Sequence, residues 1–66
     1  MINHVKEYRV SLGMTQQELG DLLKVSRQTI FSIETGKYVP STILSLKISK
    51  IFNKSVEELF ILDEYD

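Results

Sequence analysis

The sequence contains no cysteine, one histidine and one proline in 66 residues. Without cysteine, neither a disulfide nor a thiolate metal site can stabilise the fold, and His4 alone cannot supply the ligands of a metal centre. A chain this short buries only about 60% of the surface that it exposes when unfolded. We therefore expect a hydrophobic core of marginal stability. A partner chain could supply the missing stability.

Long apolar runs are also missing. No stretch approaches the ~18 residues that a membrane-spanning helix requires. The first residues lack the basic region and apolar stretch that are typical of a secretion signal. We therefore expect one domain, residues 1–66, that is cytoplasmic and has no membrane partner; the absence of cysteine agrees with a reducing compartment.

Arrangements typical of enzymes are missing as well. Glu57 and Glu58 are adjacent, and adjacent side chains on a helix diverge by about 100°, so the two carboxylates cannot act together on one substrate. The serines have no histidine base near a suitable turn, and there is no glycine-rich phosphate loop. We expect no catalytic activity, no cofactor, no metal and no small-molecule ligand.

Charge is nearly balanced over the whole chain, with a net value of −1, but it is unevenly distributed. Residues 57–66 carry five acidic residues and no basic one: Glu57, Glu58, Asp63, Glu64 and Asp66. Residues 1–56 carry eight basic residues against four acidic ones, a net charge of +4. Two interpretations stay open: a basic working surface with an acidic far end, or an ordinary solvated surface with an acidic tail.

Apolar residues recur at helical rather than alternating spacing, which predicts an all-α fold. Five short helices with brief connections predict a compact bundle. They are expected at roughly 3–12, 16–23, 27–35, 42–52 and 56–60. Asn3 is expected to cap the first helix, and residues 60–62 form the one run that could be extended.

Two sequence patterns predict capping boxes, in which the side chains of the cap residue and of a glutamate three residues later bond to each other's backbone amides. The first pairs Thr15 with Glu18 at the start of the second helix. The second pairs Ser55 with Glu58 at the start of the fifth. Both helix starts are therefore predicted from local hydrogen bonding alone.

The second and third helices are joined by only Lys24 and Val25, which predicts a helix-turn-helix over residues 16–35. A small residue is needed where the two helices meet, and Gly20 lies there. Val25 is expected to anchor the turn, while Ile30 and Ile33 hold the third helix from behind.

With those residues facing inward, Arg27, Gln28, Phe31 and Ser32 are expected to face outward. Gln28 can pair with adenine N6 and N7, and Arg27 with guanine O6 and N7 or with a phosphate. Ser32 can take either role, and a thymine methyl would give Phe31 an apolar partner. The alternatives are packing of Phe31 against a neighbouring loop and simple solvation of Arg27 and Gln28.

Four segments together resemble the Xre family of phage-repressor-like, Cro/C1-type helix-turn-helix regulators. They are TQQELG (15–20), VSRQTI (25–30), IETGK (33–37) and PS (40–41), and the resemblance covers about residues 4–60. It implies a sequence-specific transcriptional regulator that binds double-stranded DNA. Arg27, Gln28 and Ser32 match the base-reading positions of the family, whereas Glu34 matches a structural one.

The resemblance also implies contacts with DNA phosphates. Gln16 matches a residue that binds a phosphate at the start of the second helix and braces the recognition helix. Lys24 stands where the family often has glycine, and a left-handed lysine costs of order 1 kcal/mol, which a phosphate contact would offset. The full set expected at phosphates is Arg9, Gln16, Gln17, Lys24, Ser26, Lys37 and Tyr38.

The fourth helix departs from the family in carrying extra apolar residues. Leu44, Ile48 and Ile51 follow one another at i, i+4 and i+7, and a small bundle cannot bury every side of this helix. Together with Ile61 and Leu62, in the predicted dimerisation segment 56–66, they predict a homodimer; the alternative is a monomer with an apolar surface. A homodimer matches a palindromic operator whose half-sites lie about 34 Å apart.

Two functions from different classes remain. The first is an operator-binding regulator, more a repressor than an activator, because nothing in the chain obviously recruits polymerase. The second is a protein-interaction module or antitoxin-like adaptor with the same fold and little DNA binding. The near-neutral charge favours the second, and the combination of Gln16, Arg27, Gln28 and Lys37 favours the first.

Overall fold

Five short helices and one pair of two-residue strands make up the computed structural model, which describes residues 1–66. The helices are α1 (Val5–Ser11), α2 (Gln16–Leu23), α3 (Arg27–Glu34), α4 (Thr42–Phe52) and α5 (Val56–Leu59), and the strands are β1 (Ile2–Asn3) and β2 (Phe60–Ile61). The predicted five-helix fold with a short extended C-terminal segment is confirmed. No helix has the length and apolar character that crossing a bilayer would require.

Both predicted capping boxes are confirmed. The Glu18 amide donates to Thr15 Oγ1 at 3.0 Å, and the Thr15 amide donates to Glu18 Oε1 at 2.8 Å. At α5 the Glu58 amide donates to Ser55 Oγ at 3.1 Å, and the Ser55 amide donates to Glu58 Oε1 at 3.0 Å. Hydrogen bonds from the Ser55 backbone and then from its side chain lower the pKa of the Glu58 carboxyl. Residues a turn apart thus determine where α2 and α5 begin.

The two ends of the chain pair with each other, which the sequence pattern did not predict for the N-terminal segment. Ile2 lies opposite Ile61 and Asn3 opposite Phe60 in an antiparallel pair. As a result α1 begins at Val5 rather than at Asn3, and α5 ends at Leu59 rather than at Phe60. The N-cap of α1 is His4, so the prediction that Asn3 caps this helix is wrong. Asn3 Oδ1 accepts from the Val5 amide at 3.3 Å, and Asn3 Nδ2 donates to the Ile33 carbonyl oxygen at 3.0 Å. This side chain therefore ties β1 to the end of α3.

Two of the five acidic residues near the C-terminus are paired. The Met1 ammonium lies 3.2 Å from Asp63 Oδ2 and 3.0 Å from Asp66 Oδ1. The pKa of the Asp66 carboxyl is lowered by the Asp63 backbone amide and then by this ammonium. The acidic segment thus lies against β1.

Nine buried residues, drawn from all five helices, form the hydrophobic core. They are Val5, Leu19, Leu23, Ile30, Ile33, Leu44, Ile48, Phe52 and Leu59. Leu22, which precedes Leu23 in α2, is exposed. The core contains Ile30 and Ile33, so α3 is held from behind as predicted.

The apolar stripe predicted for the dimer interface is largely internal. Leu44 and Ile48 are buried in the core of the chain itself, because a bundle this small needs this face of α4 for its own packing. Ile51 is half-buried at the edge of the core. The exposed apolar residues of α4 are Ile43 and Leu46, at 69% and 52% exposure, and Ile61 and Leu62 are exposed as expected.

The turn between α2 and α3 has no room for a side chain at Gly20. A Cβ atom built on this residue would lie 2.8 Å from the Val25 carbonyl oxygen. The Val25 amide donates to the Gly20 carbonyl oxygen at 2.9 Å, so the two backbones are in direct contact. Lys24, the residue before Val25, has φ 59° and ψ 41° and so adopts the left-handed conformation.

We expect Gly20→Ala to lower the free energy of unfolding by about 1–3 kcal/mol, because the added methyl group must push the turn away from α2. Helix propensity alone would raise it by up to about 1 kcal/mol, so the sign of the change reports the clash. Urea unfolding followed by circular dichroism measures the effect. Leu22→Ala, at an exposed position of the same helix, is the control, with a change within about 0.5 kcal/mol. Unchanged or increased stability of Gly20→Ala would contradict the close approach.

Candidate nucleic-acid interface

The outward face of α3 presents the four residues that were predicted to read bases. Because Ile30 and Ile33 are buried, the opposite side of this helix faces solvent. Arg27, Gln28 and Phe31 are exposed there, and Ser32 is half-buried at the margin. The structure therefore brings all four residues to one side of the molecule.

Ser26 begins α3 and has a structural task. Its Oγ accepts from the Thr29 amide at 3.1 Å and lies 3.0 Å from Thr29 Oγ1. This hydroxyl satisfies one of the free amides of the first turn, as an N-cap does. The residue stays exposed at the end of the helix that carries Arg27 and Gln28.

The segment after α3 folds back along that helix. The amides of Lys37 and Tyr38 both donate to the Ser32 carbonyl oxygen, at 2.9 and 3.2 Å. Gly36 makes this reversal possible with φ +78°, a conformation that L side chains rarely adopt. Lys37 and Tyr38 are thereby exposed next to the outward face of α3.

Phe31 contacts this segment, in agreement with one of the two interpretations given for it. Lys37 Nζ lies 5.8 Å from the centroid of the Phe31 ring, within the range of a cation–π interaction. The ring nevertheless remains 38% exposed. Contact with the loop therefore leaves part of Phe31 free for a further partner.

The predicted phosphate-binding residues fall into two groups. Lys24, Lys37 and Tyr38 are exposed, and so is Gln17, whose Nε2 donates to Asp21 Oδ1 at 2.8 Å. Gln16 is half-buried, and its Nε2 donates to Glu34 Oε1 at 3.0 Å. That bond confirms the bracing part of the role expected for Gln16, since Glu34 is the last residue of α3.

Arg9, which was expected to contact a phosphate, does not reach the surface. Arg9 Nε donates to Glu34 Oε2 at 2.7 Å and its second nitrogen, Nη2, to Glu34 Oε1 at 3.2 Å. Nη1 donates to the Met14 carbonyl oxygen at 2.7 Å. The side chains of Arg9 and Glu34 are 10% and 2% exposed. Arg9 is turned inward because the buried Glu34 carboxylate needs a cation, so the prediction of a phosphate contact at Arg9 is wrong.

Two lysines that the sequence analysis passed over lie near the turn. Lys47 and Lys50, three residues apart in α4, line one shallow depression together with Lys24. Leu22, Leu23 and Ile51 are its apolar lining residues. The spacing of the two lysines was a signal that they share a face, but their position beside Lys24 depends on how α4 packs against α2.

Comparison with known proteins identifies this arrangement. The profile of the helix-turn-helix family matches residues 5–59, most of the chain. The chain belongs to the Cro/C1-type helix-turn-helix family of DNA-binding transcriptional regulators. The membership expected from the sequence motifs is confirmed.

This helix-turn-helix regulator has relatives of nearly its own length. It is 48% identical over 64 residues to the uncharacterized HTH-type transcriptional regulator YgzD of Bacillus subtilis, with 97% of each chain covered. It is 45% identical over 64 residues to an HTH-type transcriptional regulator of Archaeoglobus fulgidus, with 97% of this chain and 91% of that protein covered. The competence pilus inhibition repressor of Acinetobacter baylyi is 35% identical over 60 residues, which span 91% of this chain and 54% of that protein.

A solved structure shares the fold. The restriction-modification controller protein C.AhdI of Aeromonas hydrophila superimposes with a TM-score of 0.76 at 26% identity. The match covers 86% of this chain and 83% of the controller protein. The controller protein and this chain therefore share most of the helical arrangement and not the turn alone.

We expect Arg9→Met and Glu34→Leu, each by itself, to lower the free energy of unfolding by about 3–5 kcal/mol, because each leaves a buried charge without its partner. The double variant Arg9→Met/Glu34→Leu removes both charges and should lose less than either single variant. Urea unfolding of all four proteins gives the interaction energy as a double-mutant cycle. Losses that simply add in the double variant would show that the pair does not couple α1 to α3.

Proposed function

We propose that this regulator is a repressor that binds a palindromic operator as a homodimer and inserts α3 into the major groove of double-stranded DNA. The observation that carries the proposal is the exposed outward face of α3, with Arg27, Gln28 and Phe31 side by side. The buried ion pair of Arg9 and Glu34 holds that helix at a fixed angle behind them. A rigid helix with a polar outer face is the element that a major groove accommodates.

Base reading is assigned to the four side chains on that face. Gln28 pairs with adenine through its amide, and Arg27 pairs with guanine or clamps a phosphate beside it. Ser32 bonds to a base edge at the margin of the helix. Phe31 contacts a thymine methyl, the only apolar group that the major groove presents.

Phosphate binding is assigned to the ends of the helices and to the loop after α3. Lys24, Lys37 and Tyr38 are exposed on both sides of α3 and supply charge and hydrogen-bond donors. Gln16 keeps a second amide hydrogen beside the one that it donates to Glu34, and Gln17 and Ser26 lie at exposed helix starts. Phosphate contacts of this kind determine the register of the protein on the duplex without reading its sequence.

Repression is the regulatory outcome that the comparisons favour. A relative with 35% identity is a competence pilus inhibition repressor, and the chain covers 54% of its length. A small domain that occupies an operator excludes polymerase by bulk alone. This mechanism requires no further domain and no ligand.

Dimerisation is proposed through the exposed side of α4 together with the C-terminal segment. Ile43 and Leu46 are exposed on α4, and Ile61 and Leu62 are exposed at the other end of the chain. Scattered apolar residues on a surface are ordinary, but twelve large ones are exposed beside a core of only nine residues, and four of the twelve lie on these two segments, which favours a partner. Two copies related by a two-fold axis present two α3 helices to half-sites about 34 Å apart.

Gln28→Ala tests the assignment of the reading face. Selection of bound duplexes from random DNA first defines the operator, and fluorescence anisotropy then measures affinity for every single-base variant of it. We expect the variant to lose about 1–3 kcal/mol of binding free energy and to relax its preference at one base pair only. Unchanged base preferences would contradict the assignment. Absence of duplex binding by the unaltered protein at low salt would leave the protein-interaction module as its function.

Lys24→Gly is the contrasting variant, because it removes a proposed phosphate contact and no base contact. It should weaken binding to all sequences alike and lower the slope of log affinity against log salt by about 0.9. The free energy of unfolding should rise by about 1 kcal/mol, since glycine adopts the left-handed conformation without strain. Lys6→Ala, which removes the same charge from an exposed position of α1, should leave the slope unchanged.

The proposed dimer interface is tested by Ile43→Glu combined with Leu46→Glu. Buried carboxylates are costly at an apolar interface, so the mass in sedimentation equilibrium should fall from that of two chains to 7.6 kDa. Val10→Glu, which is 58% exposed on α1, is the control and should leave the mass of the dimer unchanged. A double variant that keeps the mass of two chains would exclude this side of α4 from the interface.

A further inference from the structure

Phe31 is chemically out of place on the outward face of α3. Its neighbours there, Arg27, Gln28 and Ser32, are polar, whereas the Phe31 ring is apolar and 38% exposed. Neither burial in the core nor hydrogen bonding explains an aromatic ring at this position. The cation–π contact with Lys37 covers only part of the ring, and the exposed remainder is available to a partner that presents an apolar group.

The major groove presents one kind of apolar group, the methyl at C5 of a pyrimidine. Thymine carries it in DNA, and 5-methylcytosine carries it at the same place on the ring. We propose that Phe31 recognises this methyl group as such, so that the regulator accepts 5-methylcytosine in place of thymine at one operator position and discriminates against unmethylated cytosine there. The proposal rests on the binding of α3 in the major groove and extends it to methylated DNA.

The chemistry of the ring makes thymine and 5-methylcytosine equivalent to it. The two bases differ at position 4, where thymine has an oxygen acceptor and cytosine has an amino donor. A phenyl ring has no conventional hydrogen-bond donor or acceptor, so it discriminates only weakly between these two groups. A polar side chain at position 31 would have sensed that difference.

The position of the ring in α3 places the methyl group close to the base that Gln28 reads. Residues three apart on a helix have Cβ atoms about 5–6 Å apart. Stacked bases are separated by about 3.4 Å along a strand. Phe31 should therefore contact a pyrimidine one or two base pairs from the adenine assigned to Gln28.

Lys37 is the positioning residue for the ring. Its Nζ lies 5.8 Å from the ring centroid, and its backbone is tied to the Ser32 carbonyl oxygen by a 2.9 Å hydrogen bond. The ammonium group over the ring restricts its rotation and leaves the exposed part of the ring for the methyl. Lys37 thus affects methyl recognition without touching the base.

Four duplexes that differ at one pyrimidine test the proposal. Each thymine of the selected operator is replaced in turn by uracil, and at the position where affinity falls the duplex is also made with cytosine and with 5-methylcytosine. Uracil and thymine pair with the same base and differ only in the methyl group, as do cytosine and 5-methylcytosine. We expect both methylated duplexes to bind about fourfold more tightly than their unmethylated counterparts, the effect of burying one methyl group.

Variants of the two residues show which side chain is responsible. Phe31→Ala should bind the two methylated duplexes about fourfold more weakly and so bring both ratios to one. Phe31→Leu should keep part of each ratio. Lys37→Ala should lower the ratios and Lys37→Arg should restore them. A lysine that only binds a phosphate would instead weaken all four duplexes equally and leave the ratios unchanged, which would remove Lys37 from the proposal.

Two results would overturn the proposal, and they differ in meaning. If no thymine of the operator can be distinguished from uracil, or if Phe31→Ala keeps the ratios, operator binding stands and methyl recognition by Phe31 does not. If no operator can be selected, binding in the major groove fails and the recognition of methyl groups fails with it.

Discussion

The bidentate ion pair between Arg9 and Glu34 is the interaction on which the rest of the structure depends. It joins α1 to the last residue of α3, and Gln16 of α2 donates to the same carboxylate. Three helices therefore converge on one buried anion, with the Met14 carbonyl oxygen accepting the remaining hydrogen bond of Arg9. A core of nine apolar residues would hold these helices together but would define their angles less strictly, because apolar contacts have no direction.

The turn between α2 and α3 complements the ion pair at the other end of the recognition helix. Gly20 lets the backbone of the turn approach α2 directly, whereas Lys24 adopts a left-handed conformation in which glycine would be less strained. A residue that costs about 1 kcal/mol at such a position needs a compensating role. The exposed positive charge of Lys24 beside α3 supplies such a role. Together with Lys47 and Lys50 it makes the surface between α2 and α4 basic, although the chain has a net charge of −1.

The elements predicted correctly from the sequence are those that depend on local interactions. The Thr15–Glu18 and Ser55–Glu58 capping boxes close within three residues, and so they are visible as patterns along the chain. The outward face of α3 follows from the burial of Ile30 and Ile33, which share the opposite face by helix geometry alone. The family motifs cover these same elements, so they predict both the fold and DNA as the class of partner.

Packing decided what the residue pattern left open. An arginine in α1 can contact solvent, a phosphate or a carboxylate, and only the approach of Glu34, 25 residues away, selects the last of these. In the same way Leu44 and Ile48 form an apolar stripe along α4. Whether this stripe is buried in the core of the chain or by a partner depends on where the other helices lie. Hydrogen bonds within a helix turn are encoded in neighbouring residues, whereas the choice between burial inside the chain and exposure at its surface requires the positions of all five helices together.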